Sequence, residues 1–166
     1  NSQPMGFYSP HALLQAARRE GIELLPISLN HSQWDHSLER AAPAQDYAIR
    51  LGFRLIKGLS SGSVEQIIAC RKESLKWSGF EQFAGDCPLA RDDLTLLASA
   101  NLFVELGDSR SNALWKAEAA GYKPLLDPLD DGIDWKPETR LESIQNDFRA
   151  FHTSLGKHPA QVIKQE

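Results

Sequence analysis

The residues best suited to chemistry form the run Gly58-Leu59-Ser60-Ser61-Gly62, which stands between a strand-like and a helix-like segment. Its GxSxG spacing is that of a nucleophile elbow, in which a serine is held on a sharp turn after a strand. Asp127 and His152 or His158 follow in the order that an α/β-hydrolase uses. A serine hydrolase is therefore one function to test against the rest of the chain.

The segment before this run argues against a hydrolase. Arg50 and Arg54 alternate there with apolar residues, whereas the central strands of such a fold are buried on both faces. The chain before Ser60 also lacks an HGGG-like segment for an oxyanion hole and is too short for the strands that should precede the elbow. We therefore predict that Ser60 is not a nucleophile.

The same run also matches a helix-hairpin-helix, in which a tight glycine turn leads into a helix whose first N–H groups bind a phosphate. Gly58 would let the phosphate approach the backbone, Leu59 would fill the core, and the helix N-terminus would offer free donors and a positive dipole end. Ser60 replaces the second glycine of the usual pattern, and an ordinary turn remains an alternative. The predicted phosphate-binding residues are Arg54, Lys57, Gly58, Leu59, Ser60, Ser61, Gly62, Arg71 and Arg91.

The charge distribution allows a polyanionic partner, although the formal net charge is −4. The stretch Arg50–Lys76 carries six basic and two acidic residues, whereas Leu125–Asp147 carries seven acidic and two basic ones. A basic centre beside an acidic tail fits a polyanion such as nucleic acid. A merely solvated charged face is the alternative.

The spacing of apolar residues predicts the elements that position these residues, and together they form an α+β fold that is mostly α. A helix is predicted over about 10–20, and strands over 22–29 and 49–55 are expected to share a small antiparallel sheet. Beyond residue 56 the apolar period changes from 2 to 3.6. Helices are then predicted over 64–71, near 80–84, from Asp92 or Asp93, from Asp108 or Ser109 up to Gly121, and from Pro137.

Other features of the sequence give no sign of metal or membrane chemistry. His31 and His36 flank Asp35 without a third partner at ligand spacing, and no apolar stretch is long enough to span a bilayer. Cys70 and Cys87 are the two cysteines, so reduced thiols and a cytoplasmic location are expected. The start at Asn1, without an initiator Met, suggests a piece of something longer.

Short phrases along nearly the whole chain resemble bacterial C-family DNA polymerases, the polymerase III alpha subunits, at the end of the fingers and in the domains that follow. The resemblance is strongest to the error-prone branch of that family. The phrases at 1–10, 16–23 and 30–35 resemble the fingers, and those at 50–59, 96–103 and 106–110 resemble the tandem helix-hairpin-helix domain. The phrases at 147–150, 154–155 and 158–159 resemble the connector before an OB-fold domain. Asn101 departs from the family pattern, because Gly or Asp is expected there.

The resemblance implies four parts: the end of the fingers over 1–48, a tandem helix-hairpin-helix domain over 49–120, an acidic linker over 121–137 and a helical connector over 138–166. It implies a non-catalytic part of an error-prone, translesion DNA polymerase that binds duplex DNA by its phosphates, with a protein-interaction module as a further alternative. Mg²⁺ would belong to the full-length polymerase, whose other domains and accessory subunits are the implied partners. Possible fingers contacts are Arg18, Arg19, Asn30, His31 and Ser32.

Overall fold

The structure is a computed structural model, and it describes residues 10–40, 47–73, 76–120 and 138–151. Helix α1 (Pro10–Arg19) comes first, and Gly21 with a φ of +77° ends it as expected. Three short strands follow: β1 (Glu23–Leu25), β2 (Ser37–Glu39) and β3 (Ala48–Arg50). The expected α+β class, with helices in the majority, is confirmed.

The sheet has the order β1-β3-β2 and is mixed rather than antiparallel. The two strands expected from the sequence, β1 and β3, pair in parallel, with Leu24 opposite Ile49. Strand β2 runs antiparallel to β3, with Leu38 opposite Ile49. Because β2 reverses the chain direction between the other two strands, β3 runs the same way as β1.

The second predicted strand also ends earlier than expected, at Arg50, and Phe53–Leu55 forms a 3-10 helix. Gly52 lies so close to the backbone of Trp34 and Asp35 that a Cβ would overlap it. The amides of Phe53 and Arg54 donate to the carbonyls of Gln33 and Trp34, both at 3.0 Å. These bonds turn the chain away from the sheet and towards the helices.

The helical part contains α2 (Ser61–Glu73), α3 (Phe80–Asp86), α4 (Arg91–Ser99), a 3-10 helix over Leu102–Leu106, α5 (Arg110–Ala119) and α6 (Arg140–Phe151). Ser109 is the N-cap of α5, since its side chain accepts from the Asn112 amide. The last helix begins at Arg140 rather than at 137, because Thr139 and Glu142 form a capping box. The acidic linker over 121–137 and the predicted helix stop at Gly121 lie outside the described residues.

The core lies among α2, α3, α4, α5 and the two 3-10 helices. Phe80 and Phe83 are buried and both pack against Phe103, with ring centroids 4.7 and 5.4 Å from its own, and Trp77 packs edge-on against Phe83. Burial, together with the nearby Cys70, raises the pKa of the Cys87 thiol to about 12. Within the described ranges, no helix is long and apolar enough to cross a membrane.

Candidate nucleic-acid interface

The turn at Lys57–Leu59, together with Ser60–Gly62 at the start of α2, forms what we call the first hairpin. Gly58 has a φ of +90°, in the left-handed region that glycine adopts most easily. Leu59 is only 6% exposed, and its amide donates to the Ile56 carbonyl at 3.4 Å. The predicted arrangement of a glycine turn with a buried leucine is therefore present.

The N-terminus of α2 is capped but still has donors to offer. Ser60 Oγ accepts from the Ser63 amide at 3.0 Å, and Ser63 Oγ donates to Asp93 at 2.8 Å. The amides of Ser61 and Gly62 have no hydrogen-bond partner among the described residues, and both residues are exposed. These N–H groups, at the positive end of the helix dipole, can bind an anion.

Ser60 therefore acts as a helix cap in this structure. Its hydroxyl contacts Ser63, and no histidine side chain in the described part of the chain bonds to it. The segment before it is a 3-10 helix rather than a buried strand. Asp127, His152 and His158, which the hydrolase interpretation needs, lie outside the described residues.

Three cations predicted for this site lie on exposed surface. Lys57 is exposed and has no ion pair among the described residues. Arg54 pairs with Asp35, and Arg91 pairs with Glu118. Because exposed pairs of this kind contribute only about 0–1 kcal/mol, a phosphate can compete for either guanidinium.

Arg71 is placed differently from these three cations. Its Nη1 donates to the Ser32 carbonyl at 2.9 Å, and its Nε and Nη2 are buried without a partner among the described residues. Burial lowers the pKa of Arg71, although Glu105 opposes that shift. Arg71 thus points into the interior, and a DNA phosphate does not reach it in this conformation.

The turn at Asn30–Ser32, a predicted fingers contact, joins the sheet to the helices. Ser32 is fully buried, and its Oγ donates to the Leu51 carbonyl at 2.7 Å. Asn30 Oδ1 accepts from the Trp77 amide at 3.2 Å. His31 and Arg19 are exposed, whereas Arg18 is half-buried on α1.

A second turn over Ala100–Glu105, which we call the second hairpin, also has a left-handed residue before a buried leucine, but it leads into a 3-10 helix rather than an α-helix. Asn101 has a φ of +58° and precedes Leu102, which is 3% exposed. Asparagine tolerates this left-handed conformation better than most residues, which explains how it can stand where a glycine is expected. The first turn was predicted from its own residues, whereas residues 96–103 were assigned to the tandem domain by resemblance.

The second hairpin offers a carboxylate where the first offers cations. Glu105 Oε1 accepts from the amides of Leu29 and Asn30 at 2.5 and 3.3 Å. Sequence reasoning missed this contact, because the partners are about 75 positions away. The signal in the sequence was the acidic Glu105 directly after the apolar run Leu102–Val104, a position where a DNA-binding turn would not be expected to carry a negative charge.

Arg110, at the start of α5, was also missed and holds α6 against the helical core. Its side chain is 4% exposed and pairs with Glu138 at 3.2 Å and Asp147 at 2.7 Å. Its Nη1 also donates to the Ser143 carbonyl at 3.4 Å. No local pattern around Arg110 reveals partners that lie beyond the acidic linker.

Among the described residues, no group of three or more His, Cys, Asp or Glu side chains could hold a metal ion. The described part of the chain thus does not fit the Mg²⁺ site that the resemblance implies for the whole polymerase.

Comparison with known proteins agrees with these two turns. Residues 21–113 match the family model described as helix-hairpin-helix motif, which is more than half of the chain. The chain therefore belongs to the helix-hairpin-helix family.

Curated relatives over the whole chain are named error-prone DNA polymerase. The protein of Teredinibacter turnerae is 38% identical over 174 residues, and that of Hahella chejuensis is 35% identical over 170 residues. The protein of Sinorhizobium medicae is 33% identical over 196 residues. Each match covers 99 to 100% of this chain, and the chain spans 16 to 17% of these relatives' length.

Proposed function

We propose that this chain is a DNA-holding section of an error-prone DNA polymerase and binds duplex DNA without sequence preference through backbone phosphates. One observation carries the proposal: the first hairpin combines Gly58, the open amides of Ser61 and Gly62, and the exposed Lys57 in one turn. Backbone amides and cations of this kind contact phosphates and do not distinguish bases. Arg54 and Arg91 would add charge around the turn.

Nucleotidyl transfer belongs, in this proposal, to other parts of the polymerase. The relatives are about six times as long as this chain, so they have ample room for a palm domain and its Mg²⁺ ions. This chain would contribute affinity for the duplex product and no catalytic residue. The other domains of the same polymerase and translesion accessory subunits would be its protein partners, in the cytoplasm.

A serine hydrolase finds no support in the surroundings of Ser60, whose hydroxyl caps α2. We expect a fluorophosphonate probe to leave the chain unlabelled. Stoichiometric labelling that is lost in Ser60→Ala would contradict this and restore the hydrolase.

Fluorescence anisotropy with two unrelated duplexes over a salt series tests the proposal. We expect a Kd of roughly 10⁻⁴–10⁻⁶ M for both duplexes and a slope of log K against log salt of about −2 to −3, at about −0.9 per phosphate. Lys57→Glu should flatten the slope by about one unit and weaken both duplexes alike. Gly58→Val should also weaken binding, because a β-branched residue does not accept the positive φ.

Arg40→Glu is the matched control, since it reverses one exposed charge beside the sheet rather than at the hairpin. If Lys57→Glu and Arg40→Glu change the affinity and the slope equally, the hairpin does not hold the DNA. Strong preference for one duplex, or binding that ignores salt, would also contradict the proposal.

A further inference from the structure

A cavity of about 540 Å³ lies where the first hairpin meets α4, α5 and α6. Most of its lining surface is apolar, and Ile56, Leu96, Leu114 and Ala150 contribute to it. Its polar lining side chains are Lys57, Ser99, Arg110, Asn146 and Arg149. Three of these are cations, and none of the described lining residues is acidic.

The three cations differ in whether their charge is already matched. Arg110 is paired with Glu138 and Asp147. Lys57 and Arg149 are both exposed, and neither has an ion pair within the described ranges. Two unmatched positive charges therefore line one cavity.

Arg110 takes no direct part in binding an anion. Its side chain is 96% buried, and its Nε has neither a hydrogen-bond partner among the described residues nor surface that an anion could reach. An anion in the cavity would therefore meet the two unmatched cations, Lys57 and Arg149.

Helix α6 is hydrogen-bonded directly to the first hairpin, and this bond fixes the position of Arg149 relative to Lys57. The Lys57 amide donates to the Ala150 carbonyl at 3.2 Å, one residue beyond Arg149. Arg110 fastens the same helix through Asp147 and the Ser143 carbonyl. The last carbonyls of α6 carry about half a negative charge, which the two full positive charges outweigh.

We propose that α6 forms part of the DNA-binding surface and that this cavity takes one backbone phosphate, with Lys57 and Arg149 as its charged ligands. One N–H of the Asn146 amide donates to Glu138, and the other would add a hydrogen bond to a phosphate oxygen. The inference rests on the proposed function but extends it beyond residues 21–113, which match the family. Arg149 is then a DNA ligand contributed by the helix after the acidic linker.

Anisotropy of the full 166-residue chain with a short labelled duplex over a salt series tests this role. Arg149→Gln should weaken binding by about threefold to tenfold and flatten the slope of log K by about 0.9, the value for one phosphate contact. Arg149→Lys, which keeps the charge, should restore the slope. Arg40→Gln removes an exposed arginine outside the cavity and is the matched control.

The possible results separate this inference from the proposed function. If Arg149→Gln behaves like Arg40→Gln while Lys57→Gln weakens binding, α6 is not part of the surface and the inference is wrong. If Lys57→Gln is also without effect, or the wild-type chain does not bind the duplex, both are overturned. Circular dichroism of Arg149→Gln shows whether helix content is kept; a loss of binding in a folded variant that Arg149→Lys restores supports the inference.

Discussion

Gly58 and Asn101 occupy the same position in the two hairpins: each has a positive φ, and each precedes a buried leucine. The residues after these leucines differ between the two turns. The first hairpin presents Ser61 and Gly62 with open amides and Lys57 beside them, whereas the second presents a carboxylate, Glu105. The first turn is therefore the proposed phosphate site, whereas the second braces the loop at Leu29 and Asn30 through Glu105.

The surroundings of each turn explain this division. The second hairpin faces the loop that follows β1, where the amides of Leu29 and Asn30 need an acceptor and find Glu105. The first hairpin faces α6 and an open cavity lined by Arg149. The backbone of a hairpin alone thus does not show whether the hairpin can bind DNA. The charges on the turn and the residues that face it decide this as well.

The largest effect on stability is expected from Arg110. This residue begins α5, the helix after the second hairpin, and it holds α6 against α5. Arg110→Met should lower the free energy of unfolding by about 3 kcal/mol, because Glu138 and Asp147 would stay partly buried without their cation. Urea denaturation measures this loss. A loss below that of an ordinary surface substitution would mean that α6 is not anchored through Arg110.

Removal of the brace at the second hairpin should have the next largest effect. Glu105→Ala leaves two amides without their charged acceptor, and we expect a loss of about 2 kcal/mol. Ser60→Ala removes a neutral cap at the first hairpin and should cost about 1 kcal/mol. If Ser60→Ala proves the more destabilising of the two in urea titrations, the first hairpin rather than the second is the brace.

The shared backbone can be tested at Asn101. Asn101→Val should cost about 1–2 kcal/mol, because a β-branched residue fits a φ of +58° poorly. Asn101→Gly should stay within about 0.5 kcal/mol of wild type, since relief of strain and greater unfolded-state entropy oppose each other. Thermal unfolding of the two variants checks the order, and equal stability would show that the left-handed turn is not required.

The smallest effect concerns His36, which supports the chain just before the first hairpin. Its Nδ1 accepts from the Gly52 amide at 2.9 Å, and burial together with Arg54 lowers the pKa of His36 below its ordinary value. The neutral form is therefore favoured by folding. Its stabilisation is complete above about pH 6.5 and is lost as the pH falls through the lowered pKa.

We expect wild-type stability to decline between neutral and mildly acidic pH, and His36→Asn to decline less, because the amide oxygen accepts the same bond without titrating. The salt dependence of DNA binding should be unchanged in this variant above about pH 7, where the imidazole is already neutral. Identical pH profiles of stability for the two proteins would exclude His36 as the source.

Local patterns in the sequence predicted most elements but not their pairing. The helix stop at Gly21 and a cap at Asp108 or Ser109 are predictable because those signals lie within a few residues, and the structure has the cap at Ser109. The parallel pairing of β1 and β3 was missed, since strands of three residues carry too little alternation to determine direction. The alternation of Arg50 and Arg54 with apolar residues indicates a strand up to residue 55, although Phe53–Leu55 forms a 3-10 helix.

The candidate site was predicted where it depends on local geometry and missed where it depends on distant partners. Gly58 and Leu59 are placed as the motif requires. Arg71 lies on the helix that the motif predicts, yet its guanidinium points inward to Ser32, a residue 39 positions away. Which face of a helix is covered is decided by tertiary packing, which local sequence around Arg71 does not specify.

The most direct test of the division between the hairpins adds one negative charge at the same position in each. Ser61 and Val104 both stand three residues after the left-handed residue, and both are exposed. Ser61→Glu leaves α2 stable, because an acidic residue suits a helix N-terminus. In duplex-binding anisotropy at low salt we predict that Ser61→Glu weakens binding by on the order of tenfold, about 1.4 kcal/mol, and that Val104→Glu changes it less than about twofold. Equal losses in the two variants, or a greater loss in Val104→Glu, would contradict the assignment of DNA binding to the first hairpin.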